Sequence, residues 1–170
     1  MSIMLVVSAA AIPQILVGVD RSRAVAAAHY VMQQCGAARV QAINRSAKVG
    51  LRFRAHGADY LMQAFVDSNG NGLRSTDIDA RIDVPLGPPE SLSMNFPGVR
   101  IGVAAGLGSD PVKAGAGSLL VFSPVGTATP GSVFVLGKDG TQFAVRVLGT
   151  TARTRLERYD ARMKKWVSTW

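Results

Sequence analysis

Cysteine is almost absent: Cys35 stands alone among 170 residues. It can close no internal disulfide, so the redox compartment stays open and no stapled fold is expected. There are two histidines, His29 and His56, and neither has a cysteine or carboxylate at ligand spacing. That argues against a metal centre or a catalytic triad. Aromatic residues make up only 6%, although 48% of the chain is hydrophobic, so alanine and valine carry much of the apolar volume. Acidic residues are also few, 11 against 19 lysines and arginines, and the resulting net charge of +8 points to anionic partners. Gly102 to Gly108 carries glycines but no following G-K-[ST], so it is no phosphate loop. Ser46 and Ser123-Pro124 lie in no nucleophile motif. No enzyme active site and no cofactor is expected.

What stands out instead is where charge is missing. From Met1 to Val19 there is none, and the first charges are Asp20, Arg21 and Arg23. Nineteen helical residues span about 28 Å, close to the ~30 Å hydrocarbon core of a bilayer. The helical pattern then continues. Ala24, Ala28, Val31, Cys35, Ala38 and Ala42 recur at spacings of four and three, which sets them on one helix face as packing residues. Arg23, Gln34, Gln41 and Arg45 fall away from it. A cleaved signal peptide, with Ala9-Ala10-Ala11 as its small-residue site, and a buried helix of a soluble domain are the alternatives. A stalk fits better, because no positive n-region precedes the apolar run and the periodicity runs straight through it. Pro13 would kink the rod, which membrane helices tolerate.

The expected division is a stalk helix over 1–47, with 1–19 in the membrane, and a β-rich head over 48–170. The fold class is α+β: one long helix, then an antiparallel sheet. Val49 to Ala55 alternates as a half-buried strand, and Tyr60 to Asp67 is a second, better covered strand. Ser68-Asn69-Gly70-Asn71-Gly72 holds two Asn-Gly pairs, a strong hairpin signal. Ile78, Ala80, Ile82 and Val84 alternate with charged residues, which predicts a partner strand antiparallel to the second. Leu92, Met94 and Phe96 predict another strand, as do Val99 to Val103. Gly106 to Ser118 reads as a mobile glycine-rich loop. Leu119 to Phe122, Ser132 to Leu136, Thr141 to Leu148 and Ala152 to Tyr159 complete the set, with a hairpin at Asp139-Gly140. The tail after Tyr159 is basic and expected to fray.

This order of elements resembles a known family. LVVSAAAIPQI is similar to the N-terminal segment of type IV pilins and pseudopilins. AFVDSNGNGLRSTDIDARID resembles the hairpin of the GspH/FimT group, and LLVFSPVGTATPGSVFVLGKDGTQFAVRVLGTTARTRLERYD resembles its closing part. The resemblance implies a minor pseudopilin of type II secretion, packed into a periplasmic filament with other pseudopilins and anchored in the inner membrane with the head in the periplasm. A separate assembly ATPase would extract it. The related alternative is a FimT-like minor pilin of type IV pili that binds DNA. A third reading is a membrane-tethered β-domain for another ligand. Family members begin with a basic leader, a glycine cleavage site, a phenylalanine and a glutamate shortly after it, and none of these is present in this sequence, which begins inside what would be the helix. Either the start lies upstream or the chain is not processed, so no cleavage residue is assigned. Arg21 and Arg23 would by themselves favour a cytoplasmic head; a lost basic leader reconciles them with the family's orientation.

Two surface features carry candidate chemistry. Asp67, Asn69, Asn71 and Asp77 match the first half of a calcium loop, but position twelve is Ile78 and no glutamate follows. A plain Asn-Gly turn is the simpler reading. Arg153, Arg155, Arg158, Lys164 and Lys165 gather near Tyr159, Trp166 and Trp170, and cations interleaved with aromatics suit nucleic acid. The competing reading is a solvated basic edge that blocks sheet-to-sheet aggregation.

Overall fold

The computed structural model describes the backbone of residues 3–169 and the side chains from residue 18 onward. The expected membrane segment 1–19 therefore lies almost wholly outside the described side chains, as does Trp170. Helix α1 runs Ile3–Arg45, 43 residues, or about 65 Å at 1.5 Å per residue. It ends in a built stop. Ser46 takes a left-handed φ of 50°, its N–H reaches the Ile43 carbonyl (3.2 Å), and the Ala47 N–H reaches the Ala42 carbonyl (3.3 Å). These two bonds cap the last turn in the Schellman pattern, with serine where glycine is usual.

Eleven short strands follow, with two short helices between them: β1 (Val49–His56), β2 (Asp59–Val66), α2 (Ser75–Asp79), β3 (Val84–Pro85), β4 (Glu90–Ser91), α3 (Leu92–Asn95), β5 (Arg100–Ile101), β6 (Val112–Lys113), β7 (Leu119–Phe122), β8 (Gly131–Leu136), β9 (Gln142–Val147), β10 (Thr154–Asp160) and β11 (Lys165–Ser168). They form two antiparallel sheets. The first has the order β3-β2-β1-β7, with β4 also on β2. The second has the order β11-β10-β9-β8-β5, with β6 also on β8.

Both sheets turn their apolar faces to α1, and the three layers share one core. Ala24, Ala27, Ala28, Val31, Cys35, Ala38 and Ala42 from the helix meet Leu51, Phe53, Leu120 and Phe122 from the first sheet and Val133, Val135, Phe143, Val145 and Leu156 from the second. Small helix residues let the sheets approach closely. Gly137 shows how closely, since a Cβ there would come within 2.9 Å of the Ala24 Cβ. A second, smaller cluster of Phe65, Leu73, Ile78 and Leu119 lies on the opposite face of the first sheet, under α2.

The head departs from the sequence reading at four places. The alternation from Ile78 to Val84 is not a strand. Ile78 lies in α2, Arg81 turns the chain with a φ of 58°, and only Val84–Pro85 pairs with β2. The burial is inverted: Asp83 is buried because it accepts the Ser68 N–H (3.0 Å), while Ile82 and Val84 are exposed. Helix α2 wins because its Ile78 covers Phe65 and Leu119, which a flat hairpin would leave bare. Leu92 to Phe96 forms α3 rather than a strand, with Met94 exposed. The glycine-rich 106–118 stretch is not featureless, since β6 pairs with β8 and buries Val112. The tail does not fray but returns as β11 along β10.

Candidate functional site

Three surfaces could carry function: the helix, the Asn-Gly loop and the basic end of the chain. On the helix, the six residues expected to pack are all buried, and what they pack against is this chain's own two sheets. The face left to solvent is a different one. Ala26, Gln33, Gly36, Ala37, Val40, Ile43 and Asn44 are exposed, and Arg39 is the only charged residue between Arg23 and Arg45. A Cβ added at Gly36 meets nothing within 4 Å. Tyr30 fixes the helix sideways. Its hydroxyl donates to Glu90 and its ring lies 5.7 Å from that of Phe96. Desolvation, then the hydrogen bond to Glu90, pushes the phenol's pKa up. Burial alone pushes the Cys35 thiol up to about 12, which makes it inert.

In the Asn-Gly loop, Asp67 spends both oxygens on backbone: Oδ1 accepts the Gly70 N–H (2.8 Å) and Oδ2 accepts the Gly72 N–H (2.9 Å). Asn69 accepts the Asn71 N–H (3.1 Å). Asp77 sits apart on α2. Among the described residues no group of three or more acidic, histidine or cysteine side chains could hold a metal ion. These oxygens shape the turn.

The basic candidates divide between two surfaces. Arg155 and Tyr159 lie on the outer face of the second sheet, and Arg155 stands directly opposite Arg146. There Trp166 packs against Tyr159 (5.3 Å), Phe134 (5.6 Å) and the Arg146 guanidinium (5.7 Å), and Lys113 lies over Phe134 (5.6 Å). Arg146 also pairs with Glu157 at 2.5 Å. Arg153 precedes β10 and is exposed, and Lys165 opens β11 opposite Asp160. Arg158 and Lys164 belong elsewhere. With Arg21 and Arg162 they line an open cleft of about 800 Å³, walled by Ala104–Leu107 and the Asp139–Gln142 turn.

Two residues that organise this region carry no motif. Gln142, buried at the cleft wall, donates from Nε2 to the Val135 and Gly102 carbonyls (2.9 and 3.1 Å) and accepts the Ala104 N–H (2.6 Å). It holds the 102–105 segment in place. Asp59, between the first two strands expected from the sequence, accepts N–H groups from Tyr60, Ser93 and Ile101 (2.8, 3.1 and 2.9 Å). It thereby ties β2 to α3 and β5. A lone carboxylate after His-Gly-Ala gives no sign of partners 34 and 42 residues away.

A long helix laid across two antiparallel sheets, with its small-residue face buried in them, is the arrangement that the resemblance implied. The family model for the type II transport protein GspH matches residues 27–151. The chain belongs to the GspH family. GspH proteins are structural, non-catalytic, membrane-associated pseudopilins. The matched span covers α1 from Ala27 onward and strands β1 to β9. Arg21, Arg158, Arg162 and Lys164 all lie outside it. No curated relative and no solved structure matches the chain. Among the described residues, no helix is long and apolar enough to cross a membrane.

Proposed function

We propose that this GspH-family chain is a minor pseudopilin, a structural subunit of the periplasmic pseudopilus of type II secretion. Residues 1–19 anchor it in the inner membrane, and the head stands in the periplasm. It works by packing. The observation that carries this reading is the exposed, nearly charge-free outer face of α1 from Ala26 to Asn44, opposite the face already used by the head. Small and uncharged residues there allow a neighbouring helix to come close, as Gly36 and Ala37 do in particular. Before assembly the 1–19 segment rests in lipid, and afterwards among other stalks, so its burial changes partner rather than amount.

The test places an arginine on that face. Gly36→Arg leaves the head folded, because nothing lies within 4 Å of the new Cβ, and replacing a mid-helix glycine favours the helix by up to ~1 kcal/mol. Co-isolation of the chain with the other pseudopilins of its system from detergent-solubilised membranes should fall at least tenfold. Unchanged co-isolation would refute packing through this face and favour a tethered ligand-binding domain.

A second reading has its own observation. The outer face of the second sheet sets Arg146, Arg155 and Lys113 among Phe134, Tyr159 and Trp166, which suits a FimT-like pilin that takes DNA. Its tail candidate Arg153 would flank that surface, whereas Lys165, paired with Asp160, falls on the other face of the sheet from Trp166. Lys113 already lies over the Phe134 ring, however, and Arg146 over that of Trp166. DNA retardation that weakens with salt and falls with Arg155→Ala would support this reading, and absent retardation would end it.

A further inference from the structure

We infer that the cleft lined by Arg21, Arg158, Arg162 and Lys164 receives the phosphate of an anionic phospholipid headgroup while the chain waits in the membrane. This rests on the proposed anchoring of residues 1–19.

Position comes first. Arg21 is two residues past the uncharged segment, about 3 Å along the helix axis. Gly18 and Val19 are exposed, and Ala24 is the first of the described helix residues that the head buries. The Gly137–Thr141 turn meets the helix at Ala24, since a Cβ on Gly137 would strike that side chain. The cleft therefore occupies the end of the head nearest the uncharged segment, at the depth where headgroups lie if that segment is in lipid.

Charge comes second. Four cations face two carboxylates across the cleft, and none of the four is in an ion pair among the described residues. Both carboxylates are committed. Asp139 accepts the Thr141 N–H (3.1 Å) and hydroxyl (2.5 Å). Asp160 accepts the Met163 and Arg162 N–H groups (3.1 and 2.9 Å), and these bonds, with a smaller pull from the Arg158 and Arg162 charges, hold its pKa below the usual carboxylate range. Asp160 thus closes the turn that presents Arg162 and Lys164, while Gln142 steadies the opposite wall. The result is a preshaped basic recess at the head's inner end. Basic groups at a bilayer surface are drawn to anionic lipid and released by salt. A nucleic acid would find this recess only at the mouth of the membrane, whereas lipid phosphate is there already.

The experiment uses the full chain in lipid nanodiscs of phosphatidylcholine alone or with phosphatidylglycerol, followed by amide hydrogen exchange. Protection of residues 104–107 and 139–142 should rise at least about fivefold with phosphatidylglycerol and be lost in high salt. Arg158→Gln/Arg162→Gln/Lys164→Gln should lose the effect while exchange in β8 and β9 stays unchanged. Arg158→Lys/Arg162→Lys should retain it. Equal protection in both discs overturns the inference alone. Equal protection by inorganic phosphate, or by DNA added to phosphatidylcholine discs, overturns the assignment to a lipid. Failure of the chain to enter either disc overturns the anchoring reading and the inference with it.

Discussion

Single residues in this protein do work that their type does not announce. Asp59 satisfies three backbone N–H groups from three segments. Asp59→Ala leaves the buried Ile101 N–H and the half-buried Tyr60 and Ser93 N–H groups without this acceptor, so urea unfolding should show a loss of about 2–4 kcal/mol. Ser46 does the opposite, holding a left-handed conformation that an L-residue dislikes. Ser46→Gly should raise stability by about 0.5–1 kcal/mol in the same measurement. Cys35 gives a pH signature. Its thiol, usually at 9.0, is pushed up to about 12 by burial. The folded state keeps the proton that the unfolded state gives up above pH 9. This contribution is therefore complete below about pH 9 and is lost as pH rises towards 12, by at most ~1.4 kcal/mol per unit. Cys35→Ala should flatten that fall without abolishing it, because the Tyr30 phenol is raised too. Native Cys35 should also resist alkylation at pH 8 until the protein is unfolded.

Among the elements, what could be read beforehand followed from periodicity. Helix α1, its buried face and the β8–β9 hairpin each have a long clean pattern flanked by turn residues, and each formed as read. The stretch from Ser75 to Val84 misled because its alternation has period two while its purpose is to cover Phe65 and Leu119 from outside. Only the fold shows that this face of the first sheet needs a lid. The basic tail was legible as charge but not as surface. Alternation along β10 and β11 sends Arg155 outward and Arg158 towards the helix, so cations that are close in sequence lie on different surfaces. Gly137 states the helix–sheet spacing most simply. Gly137→Ala would drive a methyl to 2.9 Å from Ala24 and 2.6 Å from the Asp139 carboxylate. It should cost about 1–3 kcal/mol and speed amide exchange in the 137–141 turn.

For the whole molecule, the contrast between the two faces of α1 matters most. One face is consumed by the two sheets, which makes the helix part of the head's core rather than a detachable stalk. The other face, from Ala26 to Asn44, is left to solvent among the described residues. A body built this way fits the packing proposed above, in which the chain would join a bundle of like helices without refolding. The measurement that tests this most directly is site-specific photo-crosslinking in membranes that hold the complete secretion system. A photoreactive side chain at Ala37 or Val40, on the outer face of α1, should give adducts to the helices of other pseudopilins, while the same probe at Arg155 on the outer sheet should not. Adducts from Arg155 with none from Ala37 or Val40 would contradict the account.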